Sequence, residues 1–445
     1  MMIELSEQQQ QVFDKYLLKQ NIFITGPGGS GKSALIKYIY DDAISKGRNI
    51  QVTALTGCAA VLLNCKAKTL HSWAGIGLGN AEADFIVEKI ERNRYKKKSW
   101  KETDILIVDE VSMMSLKLVE LINLVGKEIR RSNRPFGGIQ IIFSGDFYQL
   151  PPVASNSANL EDGQFCFESE LWPLLFEPTN QISLKKIFRQ KDEVYATILN
   201  QIREGKIKRK SYELLRSYVG KSVPEDSLIM PTKIFPTRAK VEQINFREME
   251  KLEGDLHTFE LKNLADLSDG AKAEKKQYYT LDEKEQEWKY LANNLMCEST
   301  IHLKIGSQVM CIINKELDEN NMLCNGSQGI VTGFIGSSAV LIKFTHLPDI
   351  IPLLAHTWES DRCPGLGVTQ IPIILAWAIT IHKSQGASLD MAEIDVGSDI
   401  FECGQTYVAL SRVRSLEGLF LTSFDISKIL INKKVQEFYC HLSIR

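Results

Sequence analysis

The sequence predicts an α/β fold, with two parallel-sheet domains in tandem and a small β-barrel-type insertion in the second. A chain of 445 residues is too long for one hydrophobic core and suits two or three domains. Short apolar runs alternate with helical stretches in both halves, an order that produces parallel sheets covered by helices. Between about residues 297 and 365, short strand-like runs follow one another instead, which predicts the insertion.

The first domain, residues 1–176, is predicted from four short apolar runs. They lie at residues 22–25, 50–54, 105–109 and 139–144. Each run is short and mostly apolar, and three of the four end in a polar residue, Thr25, Asp109 or Ser144, as buried parallel strands commonly do. Because ligands collect at the carboxyl ends of such strands, we expect the functional residues of this domain at that edge of the sheet.

The second domain, residues 177–296 and 366–445, shows the same kinds of pattern around the insertion at 297–365. Strands are predicted at residues 227–235, 371–379 and 419–422, and a helix at residues 238–251. Within the insertion, strands are predicted at residues 309–313, 329–333 and 340–344, with a tight turn at Asn325-Gly326. The charge-dense segment 266–289 is predicted to be an exposed helical or mobile connection.

Composition and charge exclude several classes of protein. The net charge is −2, so no overall field attracts nucleic acid, and such binding needs local basic patches. The nine cysteines form no Cys-x-x-Cys pair, which argues against a disulfide framework and a zinc site. The first twenty residues lack a signal-peptide core, and the longest apolar run, residues 371–381, is too short to span a bilayer. We therefore expect an intracellular protein without a membrane partner.

Residues 26–33 (GPGGSGKS) have the Gly-x-x-x-x-Gly-Lys-Ser/Thr spacing and lie between a predicted strand and a predicted helix. In this context, glycines let successive backbone N–H groups face an anion, and the positive end of the helix points at the same place. The alternative is an ordinary glycine-rich turn. The predicted nucleotide-binding residues are Gly28, Gly29, Ser30, Gly31, Lys32 and Ser33, with Lys32 at the β- and γ-phosphates of ATP and Ser33 on Mg²⁺.

Two carboxylates follow the predicted strand at residues 105–108. Asp109 is predicted to hold Mg²⁺ directly or through water, and Glu110 to orient and deprotonate the attacking water. Two acidic residues after a strand are common by themselves, and it is the preceding phosphate loop that favours a catalytic role. Gln149 follows the next strand and is a candidate sensor of the γ-phosphate; the alternative is an ordinary loop glutamine.

Three segments around these residues resemble motifs II and III of the Pif1-like branch of superfamily 1 DNA helicases. They are residues 109–113 (DEVSM), 136–138 (FGG) and 145–152 (GDFYQLPP). Other segments resemble further motifs of this family, in the same order along the chain. They are Leu5-Ser6 with Gln9, residues 53–60, 69–77 and 188–190, Thr380 with residues 382–386, and residues 407–412, while Asn325-Gly326-Ser327 with Gly329 resembles the family's 2B domain.

The resemblance implies two RecA-like domains: 1A, with a short 1B segment at about residues 76–103, and 2A, with an SH3-like 2B insertion. The implied cofactors are ATP and Mg²⁺. The implied partners are single-stranded DNA and forked or structured DNA. A monomer is expected, and the resemblance identifies no protein partner.

The same resemblance implies roles for residues that no local pattern singles out. Gln9 is expected to contact adenine, and Gly386 is expected among the nucleotide-binding residues. Arg189 and Arg412 are the predicted catalytic arginines, because an arginine supplied from a second domain stabilises the charge on the γ-phosphate only when the domains close. Arg412, predicted in a helix beginning near Gly404, is the stronger candidate. Surface or ion-pair roles are the alternative for both arginines.

The predicted grip on a DNA strand uses residues of both domains. Stacking on aromatic side chains contributes about 1–3 kcal/mol per base and tolerates any sequence. The nucleic-acid-binding candidates are Thr56, His71, Trp73 and Phe147 in the first domain and Thr237, His382 and Lys383 in the second. For Trp73 and Phe147, the alternative is a place in the hydrophobic core, where aromatic side chains are often buried.

The function predicted from these residues is that of an ATP-dependent DNA helicase translocating on single strands in replication, repair or recombination. Its 5′–3′ direction follows from the resemblance alone. One alternative is a DNA-stimulated ATPase that displaces bound proteins without efficient unwinding. A more remote one is a P-loop ATPase unrelated to nucleic acid. A nuclease is not supported, because the sequence shows no second carboxylate cluster with metal-ligand spacing outside the nucleotide site.

Overall fold

The computed structural model of the chain divides into two compact units. The first contains the chain up to Glu213, Ile400–Ser411 and the chain from Asp425 onward, and the second contains Leu214–Asp399 and Arg412–Phe424. The residues described are 5–63, 65–77, 79, 81–152, 163–190, 192–223, 229–265, 279–317, 322–336, 338–360, 363 and 365–443.

A six-stranded sheet forms the centre of the first unit. All of its strand pairs are parallel, in the order β3-β2-β4-β5-β1-β6. The strands are β1 (Ile22–Thr25), β2 (Ile50–Ala54), β3 (Lys68–Thr69), β4 (Ile105–Asp109), β5 (Gln140–Ser144) and β6 (Gln181–Ser183). The four strands predicted for the first domain are therefore confirmed, with β5 beginning one residue later than expected.

The helices of the first unit come from three stretches of the chain. They are α1 (Glu7–Leu17), α2 (Lys32–Ser45), α3 (Gly57–Leu62), α4 (Leu70–Ala74), α5 (Ala83–Arg92), α6 (Arg94–Glu102), α7 (Leu116–Arg130), α8 (Leu171–Leu175), α9 (Glu193–Arg203), α14 (Gln405–Leu410) and α15 (Lys433–Ser443). Another helix, α10 (Arg209–Ser217), connects the two units along the chain.

Alternation along the strands gives the first unit a hydrophobic cluster on each face of its sheet. In β1, Ile22 and Ile24 join one cluster and Phe23 joins the other. Successive strand side chains point to opposite faces, so a continuous apolar run serves both clusters. The C-terminal helix α15 contributes Val435 and Tyr439 to the cluster that contains Phe23. Helix α15 is thus part of the core of this unit.

A four-stranded parallel sheet with the order β20-β7-β21-β22 organises the second unit. Its strands are β7 (Thr232–Phe235), β20 (Ala378–Thr380), β21 (Ala392–Val396) and β22 (Leu419–Phe424). The helices of this unit are α11 (Arg238–Lys251), α12 (Leu281–Asn294) and α13 (Ile381–Ser384). Parallel sheets in both units confirm the predicted α/β class, and α11 has the bounds that the sequence predicts.

Antiparallel strands make up the rest of the second unit. A five-stranded sheet with the order β16-β15-β14-β11-β19 is formed by β11 (Gln308–Cys311), β14 (Gln328–Ile335), β15 (Ala339–Phe344), β16 (Ile350–Leu354) and β19 (Ile373–Leu375). Smaller ladders join β8 (His257–Glu260), β9 (Lys262–Leu264), β10 (Thr300–Leu303), β12 (Lys315–Glu316), β13 (Met322–Leu323), β17 (His356–Glu359) and β18 (Gly367–Gln370). The predicted β insertion is present, and β19 carries its sheet beyond the expected end at residue 365.

The strand predicted at residues 371–379 is wrong as a single element. Ile373–Leu375 pairs antiparallel with β11, whereas Ala378–Thr380 pairs parallel with β7. Between them, the Ala376 N–H donates to the Gln308 carbonyl. An apolar run looks the same whichever sheet it joins, so the sequence cannot show that the chain changes sheets here.

Two other predicted segments differ from the structure in their limits. Of the segment 266–289, residues 266–278 lie outside the described part, and residues from Leu281 onward form α12, which begins with a capping box between Thr280 and Glu283. Of the predicted strand 227–235, residues 227 and 228 also lie outside it. The described part of the chain contains no helix long and apolar enough to cross a membrane.

Candidate active site

The loop at residues 26–31 connects β1 to α2 at the carboxyl edge of the six-stranded sheet. Gly26, Gly29 and Gly31 have φ values of 140°, 81° and 83°, a region that side-chain-bearing residues rarely adopt. Lys32 starts α2, and its Nζ donates to the carbonyl oxygens of Gly26 and Pro27 at 2.8 and 3.1 Å. The loop therefore curls around the lysine ammonium, as a phosphate-binding loop requires.

Two predicted residues from distant parts of the sequence lie against this loop. A Cβ added at Gly29 would lie 2.4 Å from the Cβ of Arg189, and one added at Gly31 would lie 2.8 Å from Nε2 of Gln9. Gln9 Nε2 also donates to the Gly31 carbonyl at 3.4 Å. The loop thus has no room for larger side chains at Gly29 and Gly31, and the structure brings Gln9 and Arg189 to its surface.

The predicted carboxylates lie on the same edge of the sheet, at the end of β4. Asp109 is the last residue of this strand and is 5% exposed. Glu110 is partly exposed and has φ 57° and ψ 39°, a left-handed conformation that is uncommon for glutamate. Strained backbone of this kind often marks functional positions, because the surrounding fold must hold it in place. The strand order places β5 between β4 and β1.

Lys32 and the carboxylates are close enough to influence one another's protonation. Desolvation lowers the pKa of Lys32, while the charges of Asp146, Glu110 and Asp109 oppose this effect. Desolvation raises the pKa of Asp109, while the polar side chain of Ser144 and the charge of Lys32 oppose this effect. Because these charges lie in a poorly solvated place, an anion bound beside Lys32 would stabilise its ammonium form.

The residues at this edge fit both a triphosphate and a magnesium ion. Ser30 Oγ is buried and has no hydrogen-bond partner among the described residues, which leaves a polar group in the loop available to a ligand. The Asp109 carboxylate and the exposed Ser33 hydroxyl are hard oxygen donors of the kind that Mg²⁺ prefers. Mg²⁺ usually takes only one or two protein carboxylates and completes its shell with phosphate and water, so this small donor set is sufficient.

The sensor candidate Gln149 lies in a tightly packed loop after β5. It is 5% exposed, and its N–H donates to the Asp146 carbonyl at 2.8 Å. Its own carbonyl packs so closely on Gly404 that a Cβ added there would lie 2.4 Å from the carbonyl oxygen. Asp146 in turn forms two 2.8 Å hydrogen bonds with the Arg203 guanidinium. A loop fixed in this way can hold a side chain in one position beside a ligand.

Tyr407 contacts the phosphate loop, and the sequence does not predict this contact. Its hydroxyl accepts a 2.8 Å hydrogen bond from the N–H of Gly28, one of the predicted phosphate-binding groups. The Arg189 guanidinium and the Gln190 amide both donate to the carbonyl of Ser411, at 3.3 and 3.4 Å. Residues 400–411 and Arg189 therefore lie together in the first unit. The sequence instead predicts both in the second domain, residues 177–296 and 366–445.

Arg412 and Gly386 belong to the second unit, where Arg412 contacts Ser384, two residues before Gly386. Arg412 is 2% exposed, and its Nη1 donates to the Ser384 carbonyl at 3.4 Å. The prediction that Arg412 lies in a helix is wrong, because α14 ends at Leu410. Beyond the helix, the chain turns to pair beside Leu389, whose N–H donates to the Arg412 carbonyl.

The other predicted residues of the second unit meet at the carboxyl edge of its parallel sheet. Because Thr380 is paired with Phe235, β20 and β7 end side by side. Thr237 and His382 are exposed just beyond these ends, and Lys383 Nζ is 3.5 Å from the Met296 carbonyl. A pocket of about 440 Å³ lies at this edge, with His382 and Lys383 in its lining.

The two predicted stacking residues of the first unit are core residues in the structure. Trp73 is 0% exposed and packs on Trp100 with 4.4 Å between ring centroids. Phe147 is 2% exposed and contacts Phe23 and Phe438. A ring enclosed in this way offers no face to a base, which favours the core alternative over the stacking role that the sequence also allows.

The polar candidates Thr56 and His71 have local roles as well as partial exposure. Thr56 caps α3 by accepting a hydrogen bond from the Ala59 N–H at 3.2 Å. His71 lies in α4, and desolvation lowers the pKa of its imidazole. Both stay predictions as nucleic-acid contacts.

The chain is similar to known proteins both in sequence and in structure. The family model described as PIF1-like helicase matches residues 4–213. The match ends at Glu213, where the first segment of the first unit also ends. A model described as the 2B domain of DNA helicase Pif1 matches residues 289–334. The chain is 31% identical over 519 residues to the ATP-dependent DNA helicase RRM3 of Saccharomyces cerevisiae, covering 99% of this chain and 68% of the relative.

Two solved structures of this family are similar over almost the whole chain. Pif1 helicase from Candida albicans has a TM-score of 0.76 and 34% identity, covering 99% of this chain and 100% of that one. Pif1 helicase from Bacteroides in complex with ADP-AlF3 and ssDNA has a TM-score of 0.65 and 28% identity, covering 100% and 98%. The chain spans 61%, 68% and 56% of the length of three curated relatives that it matches. On these similarities, the chain belongs to the PIF1-like helicase family.

Proposed function

We propose that this chain is an ATP-dependent DNA helicase that uses Mg²⁺, moves 5′–3′ along single-stranded DNA and separates duplex or structured DNA. The observation that carries the proposal is the meeting of Lys32, Asp109 and Glu110 at one sheet edge, within the unit that matches the family. Relatives named as ATP-dependent DNA helicases support the activity. The Bacteroides relative bound to ADP-AlF3 and ssDNA supports both ligands.

The proposed hydrolysis uses five side chains of the first unit. Lys32 binds the β- and γ-phosphate oxygens, and its ammonium form is favoured by their charge. Ser33 and Asp109 would hold Mg²⁺, which supplies further positive charge to the phosphates. Glu110 accepts the proton of the attacking water, since its carboxylate lies next to the metal ligand and is partly exposed. Gln149 reports the state of the γ-phosphate through its rigid loop.

Adenine selection and strand binding are proposed for different places. Gln9 is held 3.4 Å from the Gly31 carbonyl, so its amide can present a fixed donor and acceptor to the base edge. In the second unit, the exposed Thr237 and His382 and the partly exposed Lys383 form a polar edge with a cation that suits a phosphate backbone. We propose this edge as part of the path of the DNA strand, with Gly386 and Arg412 contributing to nucleotide turnover.

The experiment that tests the function compares strand displacement on duplexes with a 5′ tail, a 3′ tail and no tail, with ATP and Mg²⁺ present. We expect displacement of the 5′-tailed duplex only, with ATP hydrolysis stimulated by single-stranded DNA. Displacement of the 3′-tailed duplex alone would reverse the proposed direction. Hydrolysis that DNA does not change would indicate an ATPase unrelated to nucleic acid.

The main rival is a DNA-stimulated ATPase that displaces proteins without efficient unwinding. It predicts no strand displacement in the same assay, but removal of streptavidin from a biotinylated single strand when ATP is present. We also propose that the protein acts as a monomer inside the cell on replication, repair or recombination intermediates. Sedimentation with a DNA strand long enough for one molecule tests the monomer, since a stable dimer would appear at twice the protein mass.

A further inference from the structure

Helix α15 reaches the candidate nucleotide site through one tyrosine, Tyr439. The Tyr439 hydroxyl in α15 lies 2.6 Å from Thr25 Oγ1 and 3.3 Å from Asp146 Oδ1, and it accepts a 3.1 Å hydrogen bond from the Phe147 N–H. We propose that Tyr439 is a positioning residue for ATP hydrolysis, which links the phosphate loop to the sensor loop. This inference rests on the proposed ATPase function.

The partners of this hydroxyl lie at or just beyond the ends of two neighbouring strands, β1 and β5. Thr25 is the last residue of β1, immediately before the first glycine of the phosphate loop. Asp146 and Phe147 follow β5 and precede the sensor candidate Gln149 by three and two residues. A single hydroxyl therefore holds the exits of both strands at hydrogen-bonding distance, so movement of one loop is transmitted to the other.

The acidic partner is itself fixed by a buried ion pair. Asp146 is 0% exposed, and both of its carboxylate oxygens accept 2.8 Å hydrogen bonds from Arg203 in α9. The Arg203 guanidinium lies beside the stacked rings of Tyr148 and Tyr439, 4.6 and 5.1 Å from their centroids. Burial opposes the charge of Arg203, but the charge and hydrogen bonds of Asp146 outweigh it and raise the pKa of the guanidinium. The Arg203 guanidinium therefore stays charged.

Tyr439 and Arg203 both hold the Asp146 carboxylate. Asp146 lies in the loop that leads from β5 to Gln149. Neither Tyr439 nor Arg203 is placed in contact with substrate, which is why a positioning role is assigned to them.

The helix that carries Tyr439 is anchored strongly enough to act as a rigid support. Phe438 packs on Phe167 and Phe147, with ring centroids 4.5 and 5.3 Å apart, and Tyr439 stacks on Tyr148 at 4.7 Å. Val435 is buried in the same cluster. These contacts hold the ring of Tyr439 independently of its hydroxyl, so removal of the hydroxyl alone should leave the helix in place.

The test is Tyr439→Phe, assayed for steady-state ATP hydrolysis with saturating single-stranded DNA and for equilibrium binding of a fluorescent ATP analogue. We expect kcat to fall about tenfold, as the loss of one geometry-fixing hydrogen bond allows. KM and the dissociation constant of the analogue should change less than twofold. The matched control is Tyr16→Phe, which removes another buried hydroxyl, bonded to Asp42 at 2.7 Å, from the opposite hydrophobic cluster of the same unit.

A second variant separates positioning from simple destabilisation. Thr25→Val removes the other end of the 2.6 Å contact, so it should lower kcat similarly, and the double variant should lose no more than either single one. Wild-type kcat in Tyr439→Phe, or multiplicative losses in the double variant, would overturn the inference. A wild-type chain that does not hydrolyse ATP would overturn the proposed function first, and the inference with it. An equal loss in Tyr16→Phe would show a structural effect only.

Discussion

The two units use the carboxyl edge of a parallel sheet for different chemistry. In the first unit, β1 leads into a glycine-rich loop, and β4 ends at the buried carboxylate of Asp109. In the second, β7 leads to the exposed Thr237, and β20 leads to His382 and Lys383. Both edges follow the rule that ligands gather where parallel strands end. The first edge carries charges of both signs, on Lys32 and the carboxylates, while the second carries the ammonium of Lys383 beside polar side chains.

The difference teaches that the sheet decides where a ligand binds and the loops decide which ligand it is. After β1, three glycines with positive φ turn the backbone around the Lys32 ammonium. After β7, only Pro236 and Thr237 precede α11, so no comparable ring of N–H groups can form. A compact triphosphate suits the first edge. An extended chain of phosphates, contacted by side chains from outside, suits the second.

The largest expected effect is a loss of function at the first edge that leaves the second edge unaffected. Lys32→Ala removes the cation around which the loop is folded, so ATP binding and hydrolysis should both fall below detection. Binding of single-stranded DNA in the absence of nucleotide should be unchanged. Titration calorimetry with ATP and fluorescence anisotropy with labelled DNA measure the two properties. The matched control is Lys37→Ala on the same helix, where an exposed pair with Asp41 is lost.

The next effect tests whether the second unit contributes to turnover. Arg412→Ala should keep nucleotide binding but lose roughly 10³–10⁵ in kcat, the contribution expected from an arginine at the γ-phosphate. Arg414→Ala is the matched control, since that arginine is half-exposed and pairs with Asp390 at 3.0 Å. Thermal unfolding of both variants checks the fold, because Arg412 is buried. Equal loss of binding and turnover would instead indicate a folding defect.

Much of the fold follows from local pattern, and the failures have a common cause. Alternating apolar runs and helices gave the four strands of the first unit and the helix at Arg238–Lys251. They could not show that residues 371–379 are shared between two sheets, because partner choice is not local. Trp73 and Phe147 show the same limit: an aromatic side chain in a motif can serve the core or a ligand, and only packing decides.

The residues of the candidate site also divide into those that a local pattern predicts and those that it does not. Lys32, Asp109 and Glu110 lie in short motifs whose spacing alone carries their chemistry. Tyr407 and Tyr439, by contrast, meet partners 379 and 293 residues away in sequence. No periodicity or spacing encodes such a pair, so residues that position the site were beyond sequence reasoning.

The third prediction concerns chemistry within the first edge. Glu110→Gln keeps the size of the side chain but removes its ability to accept a proton, so hydrolysis should fall roughly 10²–10⁴-fold while ATP binding is kept. Single-turnover hydrolysis measures this step. Glu120→Gln is the control, since that carboxylate accepts a hydrogen bond from Ser169 at 2.7 Å in the same unit. Hydrolysis at the wild-type rate in Glu110→Gln would show that another group is the base.

The smallest effect tests the cationic character of the second edge. If Lys383 contacts one phosphate, Lys383→Ala should weaken single-strand binding several-fold at low salt and make the slope of log K against log salt shallower by about 0.7. The kcat at saturating DNA should not change, because the nucleotide edge is intact.

Lys304→Ala is the control for that effect, since Lys304 also donates to a main-chain carbonyl of this unit, that of Leu252 at 2.7 Å, but lies outside the sheet edge. An unchanged salt slope in Lys383→Ala would mean that this lysine touches no phosphate. The second edge would then differ from the first in shape alone, and the side chains that bind the strand would have to be sought elsewhere. A shallower slope in Lys383→Ala and not in Lys304→Ala would assign the backbone contact to the carboxyl edge.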